Sequence, residues 1–180
     1  MSAKRSLVGE TVALGPLRPD DSPLLFEWIN DRELVTLSAP FRLVSPEEHD
    51  AWFAAVRARS GMKIFGIRLR DGDRLVGSCQ LHSIDPEHRA AELQIRIGAA
   101  DARGRGVGGE ATRLLLRYAF DELDLHRVFL HVFEGNEPAR RLYERVGFRT
   151  EGVLRQAARI EGEWVDVVLM AMLRTDYADT

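Results

Sequence analysis

The chain has 180 residues, of which 45% are apolar and 29% are charged, and its formal net charge is −3. This composition predicts one globular domain over residues 1–180, while the lack of a basic patch or of a ~20-residue apolar run argues against a nucleic-acid partner and a membrane span. Cys79 is the single cysteine, so no disulfide framework exists, and the N-terminus lacks a signal-peptide pattern. We therefore expect a cytoplasmic protein.

Hydrophobic periodicity and turn residues predict six elements in the first half of the chain. They are a strand over 11–17, a helix from Asp21 or Ser22 to Asn30, a helix from Pro46 towards Arg59, and strands over 63–70, 74–81 and 91–97. The second helix begins at the capping box SPEE, and Asp71-Gly72 is a strong hairpin signal between two apolar runs. In the strand over 91–97, apolar residues alternate with Glu92, Gln94 and Arg96, so one of its faces is polar.

The sequence of the second half of the chain predicts a helix after a glycine-rich loop, a strand over 128–133, a second helix of this half and a late hairpin. Asn136 caps the second helix and Gly147 lies just past its end, and the hairpin over 155–173 turns at Glu161-Gly162. The order of elements predicts a mixed α/β (α+β) domain. Its mostly antiparallel sheet has six to seven strands and is flanked by about four helices.

The glycine-rich loop DARGRGVGGEA, residues 101–111, has three interpretations. It could be a plain surface turn. It also contains the GxGxxG pattern of a dinucleotide fingerprint, but Ala99–Arg103 separate the pattern from the preceding strand and no βαβ units follow. Thirdly, it could cradle the pyrophosphate of coenzyme A, because glycines let backbone N–H groups converge on phosphate oxygens next to a helix N-terminus. Arg103 and Arg105 would add positive charge there.

Two motifs, correctly spaced with a helix and a strand between them, resemble the GNAT superfamily of acetyltransferases. The loop matches the pattern R/Q-x-x-G-x-G/A at Arg103, Gly106 and Gly108. The segment NEPARRLYERVGF matches N-x-x-A-x-x-x-Y-x-x-x-G-F at Asn136, Ala139, Tyr143, Gly147 and Phe148. The resemblance covers roughly Leu75 to Leu173. It implies the GNAT fold, acetyl-CoA as the acetyl donor, and direct transfer to an amine within a ternary complex.

The resemblance also implies residues that bind the cofactor. The strand before the loop would pair with the pantetheine arm, the loop would hold the pyrophosphate, and the following helix would complete the site. These residues are Ile95, Arg96, Ile97, Arg103, Gly104, Arg105, Gly106, Val107, Gly108, Gly109, Asn136, Ala139, Arg140 and Tyr143. Tyr143 matches the family's general acid, and its alternative role is that of an aromatic packing residue.

The general base is open at this point. Glu92 lies on the polar face of the strand that should border the acetyl group, and it could take the proton directly or through a water; the alternative is an exposed charge without a role. His131 could reach the same cleft, and His82 is a weaker candidate. Cys79 would allow an acetyl-cysteine mechanism, although a lone cysteine on a strand is more often packed. No cluster has metal-site spacing, so we expect no metal.

The acceptor is an amine whose identity the sequence leaves open. Candidate acceptor-binding residues are Trp28, Asn30, Phe41, Glu92, Gln94 and Trp164. HRAAELQI resembles spermidine acetyltransferases, EWINDRE with SPEEHDAWF resembles acetyltransferases of nucleotide-linked amino sugars, and the general layout resembles enzymes that acetylate N-termini of ribosomal proteins. We favour a small molecule of the polyamine or amino-sugar type.

Three further expectations complete the sequence-based interpretation. The alternatives to a small-molecule acceptor are a protein N-terminus and a non-catalytic module that senses acyl-CoA. A homodimer could form through an edge strand or the late hairpin, whose apolar run VDVVLMAML would be a sticky edge if left unpaired.

Overall fold

The computed structural model describes residues 7–56 and 61–178. The predicted end of the second helix, near Arg59, lies outside these residues. Within them the strands are β1 (Val12–Gly15), β2 (Lys63–Leu69), β3 (Leu75–Asp85), β4 (Ala90–Ile97), β5 (Arg127–Phe133), β6 (Arg149–Ile160) and β7 (Glu163–Leu173). The helices are α1 (Ser22–Ile29), α2 (Arg32–Thr36), α3 (Pro46–Val56), α4 (Val107–Arg117), α5 (Glu137–Val146) and α6 (Arg174–Ala178).

The strands form one sheet of seven in the order β1-β2-β3-β4-β5-β7-β6. Every neighbouring pair is antiparallel except β4–β5, which is parallel. The predicted mixed fold with a mostly antiparallel sheet is therefore confirmed. Four helices have eight residues or more, and the two five-residue helices α2 and α6 were not predicted.

The apolar run at the end of the chain is not a sheet edge. It forms β7, which pairs with β5 on one side and with β6 on the other. The edges of the sheet are β1 and β6, so the sticky-edge argument for a dimer does not apply to β7. The hairpin is also longer than predicted, because β6 begins at Arg149, directly after α5 and Phe148.

The two faces of the sheet pack against different helices. On one side, which we call the α4 face, α4 and α5 cover a large apolar cluster that includes Leu93, Leu115, Phe120, Leu130 and Met170. On the other side, which we call the α1 face, α1 and α3 cover a smaller cluster. Its members include Leu17, Leu25, Trp28, Val56 and Leu75. Because side chains alternate along a strand, each strand contributes to both faces.

A buried ion pair holds the start of α1 to the sheet. Asp21, one of the two predicted starts of α1, takes the N-cap position but makes no side-chain cap for that helix. Instead its carboxylate accepts a hydrogen bond from the backbone N–H of Arg18 at 2.7 Å and pairs with the guanidinium of Arg68 on β2. Arg68 also donates to the backbone oxygen of Asp73 at 3.0 Å. This carboxylate thus holds the start of the helix by a tertiary ion pair and by a contact with the preceding turn, and not by capping α1 itself.

Candidate active site

The sheet forks between β4 and β5. Their pairing is limited to three residues on each strand, and the last pair is Glu92 with Phe129. Beyond that pair β4 continues to Ile97 and β5 to Phe133 without further pairing between them. An extended ligand can therefore lie along the free edge of β4 and pair with its backbone.

The glycine-rich loop leads from the open end of the fork into α4. Gly104 and Gly106 have φ values of 71° and 83°, which favour glycine, and Gly106 is the N-cap of the helix. The first helical hydrogen bond runs from the N–H of Glu110 to the oxygen of Gly106 at 3.0 Å. The N–H groups of the preceding residues, 107–109, therefore have no partner within the helix, which makes this terminus an anion site of the type that binds phosphate.

The two arginines of the loop differ in what they contact. Arg103 folds back onto β4, where Nε donates to the oxygen of Ile97 at 3.0 Å and Nη2 donates to the oxygen of Gly98 at 2.8 Å. Its side chain thus ties the loop to the end of the strand. Arg105 is exposed, and its Nη1 makes only a long approach of 3.5 Å to the backbone oxygen of Asp101. Of the two loop arginines, Arg105 is therefore the one whose guanidinium is available to bind an anionic ligand.

Asn136 links the start of α5 to the segment that follows α2. Its Oδ1 accepts a hydrogen bond from the N–H of Ala139 at 3.3 Å, which confirms the predicted cap of α5. Its Nδ2 donates to the backbone oxygen of Leu37 at 3.0 Å, in the segment that follows α2. Arg140, the residue after Ala139, donates to the backbone oxygen of Glu134 at 3.3 Å. The start of α5 is thereby held against both β5 and the α2 segment.

Tyr143 lies in the apolar cluster of the α4 face. It is 8% exposed, and its ring packs edge-on against Phe148 with 5.7 Å between the centroids. Burial raises the pKa of Tyr143 to about 12, because the phenolate would lose its hydration there. The phenol is therefore protonated at neutral pH. The structure also supports the packing role, and the two roles are compatible.

Three side chains that the sequence proposed separately form a cluster on the other face. Glu92 on β4 accepts a hydrogen bond from Nδ1 of His131 on β5 at 2.7 Å. Nε2 of His82 on β3 lies 3.9 Å from the other carboxylate oxygen. Glu92 is the last residue of β4 that pairs with β5, so this cluster sits where the fork opens. Glu92 is thus not an isolated exposed charge.

A cavity of about 470 Å³ lies between the sheet and the helices of the α1 face. Its walls are mostly apolar and aromatic, with Leu25, Trp28 and Trp52 among them. Polar side chains of β3 and β4 face it: Ser78, Gln80, Gln94 and Arg96. Trp28 and Gln94 were predicted to bind the acceptor, and the structure brings both to this cavity.

The other predicted acceptor residues do not line this cavity. Asn30 clamps the segment after α2, since it accepts from the N–H of Val44 at 2.9 Å and donates to its oxygen at 3.1 Å. Phe41 stacks under the guanidinium of Arg32, and Trp164 is 60% exposed on β7. Glu92 belongs to the cluster at the fork. The sequence placed Arg96 on the polar face of β4 with Gln94 but assigned it to the cofactor, and the structure brings its side chain to this cavity.

The tip of the late hairpin reaches the helices of the α1 face. Nη2 of Arg32, at the start of α2, lies 2.6 Å from a carboxylate oxygen of Glu161 at the β6–β7 turn. This contact places the hairpin turn beside the segment that borders the cavity. The sequence predicted both segments as parts of the acceptor site but not their contact.

Other chemistries find little support in the described residues. Cys79 is buried and its pKa is raised well above the ordinary value by burial, so its thiol is a packed side chain. Among residues 7–56 and 61–178, no group of three or more His, Cys, Asp or Glu side chains is arranged to hold a metal ion. No helix within those ranges is long and apolar enough to cross a membrane.

The forked sheet beside a glycine-rich helix start defines an acyltransferase that uses a coenzyme A thioester. The chain belongs to the GNAT acetyltransferases, since residues 11–149 match the family described as Acetyltransferase (GNAT) domain. It is 31% identical over 176 residues to a putative ribosomal N-acetyltransferase of Bacillus subtilis (strain 168), covering 94% of this chain and 95% of that protein. It is 39% identical over 103 residues to spermidine N(1)-acetyltransferase of Vibrio cholerae, covering 57% of this chain and 59% of that protein.

A solved structure agrees with this assignment. The crystal structure of spermidine N-acetyltransferase from Vibrio cholerae in complex with CoA and spermine matches with a TM-score of 0.84 at 29% identity, over 93% of this chain and 98% of that chain. The predicted family, the enzyme class and the acetyl-CoA donor are therefore confirmed. Membership of this family favours the coenzyme A interpretation of the loop over the dinucleotide and surface-turn interpretations, and that interpretation stays a prediction. The roles of individual site residues stay predictions.

Proposed function

We propose that the chain acetylates the primary amine of a small molecule that binds in the cavity of the α1 face. A volume of about 470 Å³ is in the range of small-molecule sites, and apolar walls with a few polar side chains are typical of them. The cavity borders β4, the strand that forms one arm of the fork. The Vibrio cholerae relative, whose structure contains spermine, supports an acceptor of small size.

Acetyl-CoA, when bound, supplies a thioester that an amine can attack. The free N–H groups at the start of α4 and the exposed Arg105 would hold the pyrophosphate, and Asn136 would hold the α5 side of the site. The free edge of β4 would pair with the pantetheine arm. A backbone N–H in the stretch from Ile95 to Ile97 would donate to the oxygen that becomes negatively charged during transfer.

Tyr143 serves as the acid in this proposal. With its pKa at about 12 the phenol keeps its proton at neutral pH and can donate a hydrogen bond to the departing sulfur. A thiol in water has a pKa near ~8.5, well below that of Tyr143. In water, proton transfer from this phenol to the thiolate would therefore be unfavourable. The apolar surroundings reduce the difference, because burial raises the pKa of a thiol, as it does for Cys79 in the same apolar cluster.

The Glu92–His131 pair serves as the base. An alkyl amine with a pKa near ~10.4 costs roughly 4–5 kcal/mol to deprotonate at pH 7, so a proton acceptor close to the amine lowers the barrier. When Nδ1 of His131 donates to Glu92, its Nε2 is free to accept a proton, and the carboxylate stabilises the imidazolium that forms. The proton reaches this pair directly or through a water.

One observation supports these assignments: the proposed acid and the proposed base lie on opposite faces of the sheet. Tyr143 belongs to the cluster of the α4 face, and Glu92 lies on the face of β4 opposite to Leu93. A thioester in the fork would then meet the amine from one side and the hydrogen-bond donor for sulfur from the other. This arrangement would let the base act on the amine and the acid act on the sulfur of the same tetrahedral intermediate without contacting each other.

The test is release of free coenzyme A thiol with spermidine, an aminoglycoside, a nucleotide-linked amino sugar and peptides with Ser or Ala N-termini. We expect turnover of a small amine, a loss of about 10²–10⁴-fold in kcat for Tyr143→Phe, and an unchanged Kd for acetyl-CoA. Tyr118→Phe is the matched control, since Tyr118 packs against Phe65 away from the fork. Turnover of the peptides alone would overturn the small-molecule acceptor. Wild-type turnover by Tyr143→Phe would overturn the acid assignment.

Cellular location and assembly also belong to this proposal. We expect a cytoplasmic homodimer without a nucleic-acid partner. Edge strand β6 supports the dimer, because Val153 and Leu154 are exposed apolar side chains on it.

A further inference from the structure

Arg96 projects from β4 into the cavity of the α1 face. It lines that cavity together with Gln94 from the same strand and Trp28 from α1. Its cross-strand partner on β3 is Ser78, which faces the cavity as well. Arg96 is half-buried, and its guanidinium donates a long hydrogen bond, 3.4 Å from Nη2 to Oγ of Ser38.

No carboxylate in the described part of the chain forms an ion pair with Arg96. Burial lowers the pKa of Arg96, and no acidic neighbour acts in the opposite direction. The other arginines near this face differ: Arg32 pairs with Glu161, Arg42 with Glu48 and Arg68 with Asp21. A guanidinium stays charged in proteins, so removing it from water without an anion is unfavourable. An anionic group bound in the cavity would therefore stabilise the charge of Arg96.

Among the described residues, no free carboxylate lines the cavity to bind a second ammonium group. Glu48 is the only acidic side chain among its lining residues in the described ranges. Its oxygens accept hydrogen bonds from Arg42 at 3.1 and 3.2 Å and from the backbone N–H of Ser45 at 3.0 Å. A polyamine would therefore bring a further cation to a cavity that already contains Arg96 and offers no compensating anion.

We propose that the acceptor of this enzyme is an amine that also carries a carboxylate or a phosphate, and that Arg96 binds this anionic group. The inference rests on the proposed function, in that it takes the cavity as the acceptor site. A guanidinium forms bidentate hydrogen bonds with either anion. Gln80 and Gln94, which face the same cavity and hydrogen-bond to each other, supply neutral polar contacts for the rest of the molecule. The aromatic rings of Trp28 and Trp52 supply apolar wall.

The phosphates of the cofactor are the competing partner for Arg96. They have a separate site at the start of α4, where the residues after Gly106 offer free N–H groups. The two possibilities differ in which ligand loses affinity when Arg96 is replaced. A loss confined to acetyl-CoA would assign the guanidinium to the cofactor.

The experiment uses a matched set of amines: glucosamine, glucosamine 6-phosphate and 2-amino-2-deoxygluconate, with spermidine as the polycation. Binding to the enzyme–CoA complex is measured by calorimetry, and kcat/KM is measured by coenzyme A release. We expect the phosphate or the carboxylate compound to bind at least about tenfold more tightly than glucosamine, and spermidine to bind more weakly than either. Which of the two anions is preferred identifies the natural group.

Three variants test the role of the side chain. Arg96→Gln should abolish the preference for the anionic compound, while Arg96→Lys should keep part of it, because the charge remains without the bidentate geometry. Both variants should bind acetyl-CoA as the wild type does. Arg32→Gln is the control, since Arg32 is exposed at the rim and already paired with Glu161; it should leave the preference unchanged.

The inference is overturned if the wild type binds no anionic compound better than glucosamine, which includes the case that none of the four binds. It is also overturned if Arg96→Gln weakens acetyl-CoA alone. An Arg96-dependent preference in binding without turnover would support the anion site and count against the proposed small-molecule reaction. Normal turnover by Tyr143→Phe would count against the catalytic assignment alone, so the failures of the two proposals are distinguishable.

Discussion

The two faces of the sheet are built in different ways. The phosphate site and the two helices that cover the α4 face come from one continuous stretch, in which β4, the glycine loop, α4, β5 and α5 follow one another. The α1 face is joined by contacts between distant residues: Arg32 meets Glu161 129 positions away, and Leu37 meets Asn136 99 positions away. Local backbone conformation thus makes the site for the donor, whereas tertiary contacts shape the site for the acceptor.

Because of this difference, we expect the stability of the α1 face to depend most on long-range polar contacts. Asp21→Ala would leave the Arg68 guanidinium buried without its partner, and we expect the free energy of unfolding to fall by about 3–5 kcal/mol. Urea denaturation measures this loss. The control is Arg141→Gln, which removes the exposed pair with Glu137 and should cost less than about 0.5 kcal/mol. Equal small losses would mean that the α1 face does not depend on its buried ion pair.

The same contrast explains which parts of the fold the sequence predicted. Around the α4 face the predictions were accurate, because caps and glycines act within a few residues. α4 begins at Val107, one residue from the predicted start near Gly108, and Gly147 ends α5 with φ 113°. On the α1 face the ion pair of Asp21 was not predicted, since its partner Arg68 lies 47 positions away in the sequence. Helix α2 was missed because five residues give too short a periodic pattern. A single domain over the whole chain stays a prediction.

The candidate site shows the same limit. The sequence named Glu92, His131 and His82 as separate candidates, and it could not bring them together because that requires the strand order β3-β4-β5 and its register. A shift of one residue in any of these strands would turn its side chain to the other face. Arg96 was assigned to the cofactor through its backbone for the same reason. Only the packing of α1 and α3 against β4 shows that its side chain faces the acceptor cavity.

A second prediction concerns the dry interior of the α4 face. The pKa of Tyr143 is about 12 in the folded state and about 10 in the unfolded state, so the stabilisation is complete below pH 10 and is lost as the pH rises through 12. We expect the wild type to lose about 1–3 kcal/mol of unfolding free energy over this interval that Tyr143→Phe does not lose. Urea denaturation from pH 9 to pH 12 measures the difference between the two proteins. Parallel pH profiles would show that the phenol is exposed to solvent.

The smallest expected effects test whether backbone conformation builds the donor site. Gly106 has φ 83° and an added Cβ would meet nothing within 4 Å, so Gly106→Ala is opposed by conformation alone. We expect it to lower the free energy of unfolding by about 1–2 kcal/mol. Three positions later, Gly109→Ala puts a methyl group at an ordinary 3.6 Å from Nη1 of Arg113 inside the first turn of α4. It should raise the free energy of unfolding by about 0.5–1 kcal/mol, because alanine favours a helix.

The same change, glycine to alanine, is thus expected to lower the free energy of unfolding at position 106 and to raise it at position 109. Urea denaturation of the two proteins without ligand gives the conformational effect, and acetyl-CoA titration gives the effect on binding. If Gly106→Ala loses stability while Gly109→Ala gains it, the positive φ of the N-cap is what the loop requires of its sequence. If both keep their stability and both bind acetyl-CoA more weakly, the glycines serve instead to let the ligand approach the backbone. The donor site would then depend on contacts made when the ligand binds. Local backbone conformation would no longer distinguish it from the acceptor site on the α1 face.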